Sequence, residues 1–215
     1  MSTHVWLLSV ALGITALLNW SAVLRGDHVV ERITKPTFML LLGGLAWSLF
    51  TDSPPVDAPH LTPLLVALGL SLVGDLLLLT ATEVRFRLGL LAFLAAHVAF
   101  VWTLLTVPGP SGFPWLVLPA VLVVFLMHGR FGRHVVRHAG RDRFAVLVYV
   151  LALATLLVVA AVKGDWVVIA GCFLFLVSDT ILGHDRFVHE RRWAPVTVMV
   201  TYHAAQLLIV LGLLR

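Results

Sequence analysis

The sequence predicts an all-α, polytopic membrane protein with about eight transmembrane helices, and three observations carry that expectation. Hydrophobic residues fill 60% of the 215 positions, charged residues only 12%, and the mean hydropathy of +1.01 lies outside the range of soluble domains. The apolar residues fall in runs near the roughly 20 residues that a spanning helix needs. The basic residues are sorted by loop, as the positive-inside rule requires. Eight such runs leave only short connections, so residues 1–215 are expected to form a single integral membrane domain.

Taken in order, the helices are expected near 4–24, 36–51, 61–81, 87–107, 114–129, 144–162, 165–183 and 193–213, to within about 2–4 residues. The first run has no basic residue before it and is too long for a signal-peptide core, so it reads as a mature helix with no cleavage. It stops at Arg25-Gly26-Asp27, which is too polar for lipid. Lys35-Pro36 opens the second helix, with Pro in the tolerated first turn, and Ser53-Pro54-Pro55 closes it. Pro108-Gly109-Pro110 and Pro114 separate the fourth helix from the fifth, and Gly140-Arg141-Asp142 separates the fifth from the sixth. Lys163-Gly164 is the shortest gap, between the sixth and the seventh.

Loops after the odd-numbered helices hold thirteen of the fifteen basic residues: Arg25, Arg32, Lys35, Arg85, Arg87, Arg130, Arg133, Arg137, Arg141, Arg143, Arg186, Arg191 and Arg192. Those loops are expected in the cytoplasm, with Lys163, Arg215 and both termini on the extracytoplasmic side. The net charge of +4 is accounted for by this sorting and calls for no nucleic acid partner. All seven tryptophans fall near expected helix ends, Trp6, Trp47, Trp102, Trp115 and Trp166 at the outer level and Trp20 and Trp193 at the inner. The one cysteine, Cys172, sits in an apolar run, which excludes an intrachain disulfide and a cysteine metal cluster.

Of eleven acidic residues, only Asp75 and Asp179 are surrounded by spanning apolar sequence. A carboxylate at that depth is costly unless paired or facing a wet cavity, and is usually functional; the plainer alternative is a clamp between helices. Both helices run from outside to inside, placing Asp75 and Asp179 about 8 and 5 residues, or roughly 12 and 8 Å, above the inner boundary. Leu72-Val73-Gly74-Asp75-Leu76-Leu77-Leu78 resembles Leu176-Val177-Ser178-Asp179-Thr180-Ile181-Leu182, which suggests a 4+4 parallel pseudo-repeat about the membrane normal. Gly74 and Ser178 would let helices approach closely, a route by which the two carboxyls could meet.

His97 in the fourth helix and Tyr202, His203 and Gln206 in the eighth lie mid-span and could join this site or serve as packing residues. Tyr202 and Gln206 share a helix face, and His203 and Gln206 a neighbouring edge. Lys35 could hold a lipid phosphate or be one more positive-inside residue. Asn19 reads as interhelical glue. His134 and His138 have a spacing that suits a metal on a helix but lack a third ligand, and no metal site or cofactor is expected. No P-loop, dinucleotide fingerprint or Gly-x-Ser-x-Gly elbow occurs.

With these residues in hand, the chain resembles the YhhN-like family of membrane proteins, the lysoplasmalogenases. The resemblance runs from about residue 30 to the end, on Lys35-Pro36, Leu72 to Asp75, Gly89 with Phe93 and His97, Phe173 to Asp179, and Tyr202 to Gln206. It implies hydrolysis of the vinyl ether bond of lysoplasmenyl-ethanolamine or -choline to a fatty aldehyde and glycerophospho-ethanolamine or -choline. The expected partners are then membrane lipids and a lysophospholipid drawn from the cytoplasmic leaflet of the cell membrane. Such a bond breaks when an acid protonates the outer alkene carbon and water captures the resulting oxocarbenium ion. Two carboxyls can divide that work, as in glycosidases. Asp75 and Asp179 are therefore expected as the catalytic pair, with His97 or Tyr202 positioning water and Lys35, His203 and Gln206 on the substrate. Two other classes use the same residues: a proton- or cation-coupled transporter relaying through the aspartates, and a metal-dependent lipid hydrolase with Asp75, His97, Asp179 and His203 as ligands.

Overall fold

The structure is a computed structural model that describes residues 2–52, 60–80, 82–107 and 115–214, apart from the side chain of His128. The breaks expected at Ser53-Pro54-Pro55, Pro108-Gly109-Pro110 and Pro114, and the terminal Arg215, lie outside the described residues. Among those residues there is no strand. The helices are α1 (Thr3–Arg25), α2 (His28–Asp52), α3 (Leu61–Leu78), α4 (Glu83–Thr106), α5 (Val117–Leu126), α6 (Arg133–His138), α7 (Arg143–Lys163), α8 (Trp166–Phe187) and α9 (Ala194–Leu214). Seven of these stretches are long and apolar enough to cross a membrane: α1 to α4, the segment Gly140–Lys163 that contains α7, α8 and α9. The outward faces fit a lipid solvent, with Leu7, Ile14 and Leu18 exposed on α1 and Trp6, Trp47, Trp102, Trp115, Trp166 and Trp193 all at least half exposed.

Two tight hairpins use the same dipeptide. Gly26 ends α1 in the left-handed region (φ 67°), and the Asp27 carboxylate accepts from the Val29 and Val30 amides at 3.1 Å to start α2. Gly164 (φ 76°) ends α7, and Asp165 accepts from the Val167 and Val168 amides at 2.9 and 3.0 Å to start α8. The Lys163-Gly164 break is therefore a turn held at both ends.

Three of the differences from the expected boundaries bear on the site. The second helix begins at His28 rather than 36, because the Asp27 cap satisfies its first amides, and Pro36 lies inside it instead of opening it. The third helix stops at Leu78, where Thr80 Oγ1 donates to the Leu77 carbonyl and Arg85 Nη1 donates to Thr80 Oγ1. Asp75 thus sits in the last turn of α3. The fifth helix is composite: α5 passes through a π-helical stretch, Met127–Gly132, into α6. Gly129 and Gly132 fall in the widened turns, and the Arg133 guanidinium donates to the Gly129 carbonyl.

The chain divides into two compact units, Met1–Thr106 with Leu213–Arg215, and Val107–Gly212. In the first, α1 packs on α2, α2 on α3 and α3 on α4. Asn19 of α1 donates to Thr34 of α2 at 3.0 Å, both side chains buried, which is the interhelical contact expected of it. The α3–α4 contact is close because Gly74 has no side chain: a Cβ there would stand 2.6 Å from the Phe93 ring. A Cβ on Gly89 would stand 2.9 Å from the Leu78 side chain. In the second unit, α5, α6 and α8 all contact α7 or its neighbours, and α9 lies against α8. There a Cβ on Gly171 would meet Ile209 at 2.8 Å, and one on Gly212 would meet Val168 at 2.5 Å.

Candidate functional site

In the first unit the site is built on Asp75. Its carboxylate lies 3.3 Å from Lys35 Nζ, with 1% and 7% of the two side chains exposed. The longer α2 is what places the lysine there. Just ahead of a helix starting at 36, Lys35 would have been a surface residue, whereas with α2 starting at His28 it lies in the third turn and is buried beside Thr34. Thr34 Oγ1 donates back to the Val30 carbonyl at 2.8 Å and accepts from Asn19, so the turn that carries the lysine is held by hydrogen bonds. Two charges taken out of water need each other: removing one would leave the other buried without compensation.

Ser71, one turn before Asp75 on the same face, is fully buried, and its hydroxyl has no hydrogen-bond partner among the described residues. From α4, His97 is fully buried, and its Nδ1 lies 2.6 Å from the Phe93 carbonyl. A carbonyl can only accept, so Nδ1 is a protonated nitrogen and donates to it. That same Phe93 fills the space beside Gly74, so α4 is registered against α3 next to Asp75.

In the second unit the site is built on Asp179 of α8, which is half-buried. The Tyr149 hydroxyl of α7 donates to Asp179 Oδ2. Sequence reasoning passed over Tyr149. The available signal was composition, since the chain has only two tyrosines, Tyr149 and Tyr202, and both fall inside apolar runs. Next to Asp179, Ser178 Oγ donates to the Val198 carbonyl of α9 at 3.0 Å. The small residues beside both aspartates therefore serve contacts inside their own units, Gly74 with α4 and Ser178 with α9.

On α9, Tyr202, His203 and Gln206 are all buried. Gln206 Nε2 donates to the Tyr202 oxygen at 3.3 Å, which is the shared face read from their spacing. The Tyr202 ring meets Phe175 of α8 edge-on, with centroids 5.5 Å apart, and lies 5.8 Å from the His203 ring. Gln206 Oε1 is buried with no hydrogen-bond partner among the described residues. An acceptor left in that state suits a site that receives a polar ligand.

A separate group of rings gathers at the C-terminal end of α8, five residues beyond Asp179. His134 stacks with His184 at 5.9 Å and lies 4.3 Å from His138, while Arg191 Nη1 approaches His184 Nδ1 at 3.3 Å. Among the described residues no group of three or more His, Cys, Asp or Glu side chains is arranged to hold a metal ion.

The profile of the YhhN family matches residues 30–213. The chain is similar to the protein named lysoplasmalogenase TMEM86B of Homo sapiens, 33% identical over 181 residues that cover 82% of this chain and 72% of the human one. It is similar to the Sus scrofa protein of the same name, 34% identical, covering 68% of this chain and 61% of that one. A lysoplasmalogenase of Mycobacterium tuberculosis (strain CDC 1551 / Oshkosh) is 30% identical over 155 residues, 69% of this chain and 59% of its own length. This chain thus spans about three-fifths of the pig and mycobacterial relatives. No solved structure matches it.

Proposed function

Since the chain belongs to the YhhN family, we propose that it is a membrane-embedded enzyme that hydrolyses the vinyl ether bond of lysoplasmalogens, releasing a fatty aldehyde and glycerophospho-ethanolamine or -choline. The observation that carries the reading is the pair of intramembrane aspartates, each held by a polar side chain of a neighbouring helix. Hydrolysis of an enol ether needs no metal and no redox cofactor. It needs a proton delivered to carbon, negative charge near the oxocarbenium ion and one water molecule.

Asp75 and Asp179 are the residues assigned to the first two tasks, with His97 and Tyr202 placing the water and His203 and Gln206 contacting the substrate. Lys35, expected on the lipid phosphate, is engaged with Asp75, and its role here is the counter-charge that keeps this carboxylate in the interior. The substrate enters from the cytoplasmic leaflet of the cell membrane, where the headgroup stays among the arginines and the vinyl ether lies a few ångströms deeper. A 4+4 repeat is supported by the chain's division after Thr106. Counting α5 and α6 as one span, each unit carries its aspartate on its third helix, which packs closely on the fourth through a small residue.

The test is aldehyde release by the purified protein given lysoplasmenyl-ethanolamine, with the ester-linked analogue as control. Asp75→Asn and Asp179→Asn should each lower turnover by about 10²–10⁴-fold, the usual worth of a general acid, while the protein stays inserted. In D2O the aldehyde should carry one deuterium on the carbon next to the carbonyl. Near-normal activity in both variants, or aldehyde without that deuterium, would refute the aspartate mechanism.

A further inference from the structure

We propose that the ring cluster at the C-terminal end of α8 is a phosphate-binding site, built from His134, His184 and Arg191, that holds the headgroup phosphodiester of the lysophospholipid substrate. The identity of the phosphate rests on the vinyl ether reading, and every residue of the cluster lies in the second unit.

Three segments supply the cluster. Gly183 of α8 lets α6 come close, since a Cβ there would stand 3.2 Å from Val135, and the residues next to this contact, His134 and His184, stack ring on ring at 5.9 Å. His138, one turn further along α6, donates from Nδ1 to the His134 carbonyl at 2.8 Å and sets its ring 4.3 Å from that of His134. The connection to α9 then folds back. Asp185 Oδ1 accepts from the Arg191 amide at 2.7 Å, and the Arg191 guanidinium reaches His184 Nδ1 at 3.3 Å while lying over the Trp193 ring, 5.6 Å from its centroid. Positive-inside sorting asks only for charge on the right side and needs no fixed partners. Arg191 is instead half-buried, with its backbone and its guanidinium both engaged.

These bonds dictate what the cluster offers. A guanidinium can only donate, so His184 Nδ1 accepts, and the ring proton sits on Nε2 as a donor. Arg191 keeps N–H groups beyond the one aimed at His184. His134 and His138 are exposed, which opens the cluster to a ligand, and Asp185 is engaged with a backbone amide. Donors gathered around a permanent cation suit an anion, and the guanidinium fork suits phosphate oxygens.

Depth selects the anion. His184 follows Asp179 by five residues, a rise of about 7.5 Å along α8. In a lysoplasmalogen, five single bonds join the ether oxygen to phosphorus, a reach of about 6 Å when extended, since three chain bonds span at most ~3.6 Å. A lipid whose vinyl ether lies at the depth of Asp179 therefore carries its phosphate to the depth of the cluster. Trp193, 50% exposed beside Arg191, marks the level where indole rings meet headgroups. Basic pockets between helices at that level bind lipid phosphates.

The experiment records phosphorus NMR line broadening of glycerophosphoethanolamine by the purified full chain in a phosphorus-free detergent, with inorganic phosphate as a second probe. The wild type should broaden the phosphodiester line. Arg191→Gln should weaken that binding about tenfold, the equivalent of one hydrogen bond to a charged group. His134→Gln should weaken it in the same direction, and its exposed position keeps the test valid should Arg191→Gln fail to fold. Arg192→Gln removes the same charge from the exposed neighbouring position and should bind as the wild type does. In aldehyde release from lysoplasmenyl-ethanolamine, Arg191→Gln and His134→Gln should raise KM with kcat little changed. Equal weakening by Arg192→Gln would reduce the cluster to general positive potential and overturn the proposal. So would broadening of inorganic phosphate alone, or no broadening at all. Weakened phosphodiester binding with an unmoved KM would assign the site to a bilayer lipid instead of the substrate. A protein that binds the phosphodiester as expected yet releases no aldehyde keeps the site and sinks the vinyl ether reading, so the two failures are distinguishable.

Discussion

Lys35 and Asp75 illustrate how a buried pair shapes what single substitutions do. Because neither side chain retains appreciable access to solvent, Lys35→Met should destabilise the protein by about 3–5 kcal/mol, the range for stranding one member of a buried ion pair. Asp75→Asn strands the other and should cost a similar amount. The double replacement removes both charges, so its melting temperature in detergent should lie above that of either single variant. Additive losses would mean that the two side chains do not interact. The aspartates themselves were legible in the sequence, because a carboxylate in an apolar run is conspicuous whatever the fold. Their partners were not. Lys35 lies 40 positions from Asp75 and Tyr149 lies 30 from Asp179, and nothing in a single sequence says which helices become neighbours.

At the scale of helices, the spans were readable because a bilayer demands about 20 apolar residues with their backbone bonds made internally. Ends were less so, because a cap of one side chain outweighs a composition rule. Asp27 starts α2 eight positions before the proline that reads as its opening, and the arginine-rich stretch that reads as a loop after the fifth run is helical in α6. Close contacts between helices follow from absent side chains and are testable as such. Gly74→Ala would put a Cβ 2.6 Å from the Phe93 ring, so either ring or helix must shift, at about 1–3 kcal/mol. Phe93→Leu in the same chain should recover part of the loss. Thermal unfolding of the two single variants and the double reads this coupling directly, and an unchanged melting temperature for Gly74→Ala would show that α3 and α4 do not pack through this glycine.

Across the whole molecule, the open quantity is the number of crossings, and the stretch Val117–His138 decides it. Seven stretches qualify by length and hydropathy, and this one does not because its helix changes type at Met127. From Trp115 to Met127 its apolar part covers only about 20 Å at 1.5 Å per residue, less than the roughly 30 Å of a hydrocarbon core. A segment that short crosses by snorkelling of flanking cations and local thinning of the bilayer, and Arg130 and Arg133 stand where such cations are needed. If it did not cross, Arg137 and its neighbours would share a face with Trp115, placing five arginines on the side that otherwise holds few basic residues. Crossing is therefore the expected arrangement, and it brings the number of spans to eight. In a Cys172→Ala background, whose native thiol is buried, single cysteines at His4 and Trp115 should react with an impermeant maleimide added outside intact cells. Cysteines at Arg85 and Arg137 should react only after the membrane is opened. Labelling of positions 115 and 137 from the same face would remove the eighth crossing, and with it the 4+4 repeat.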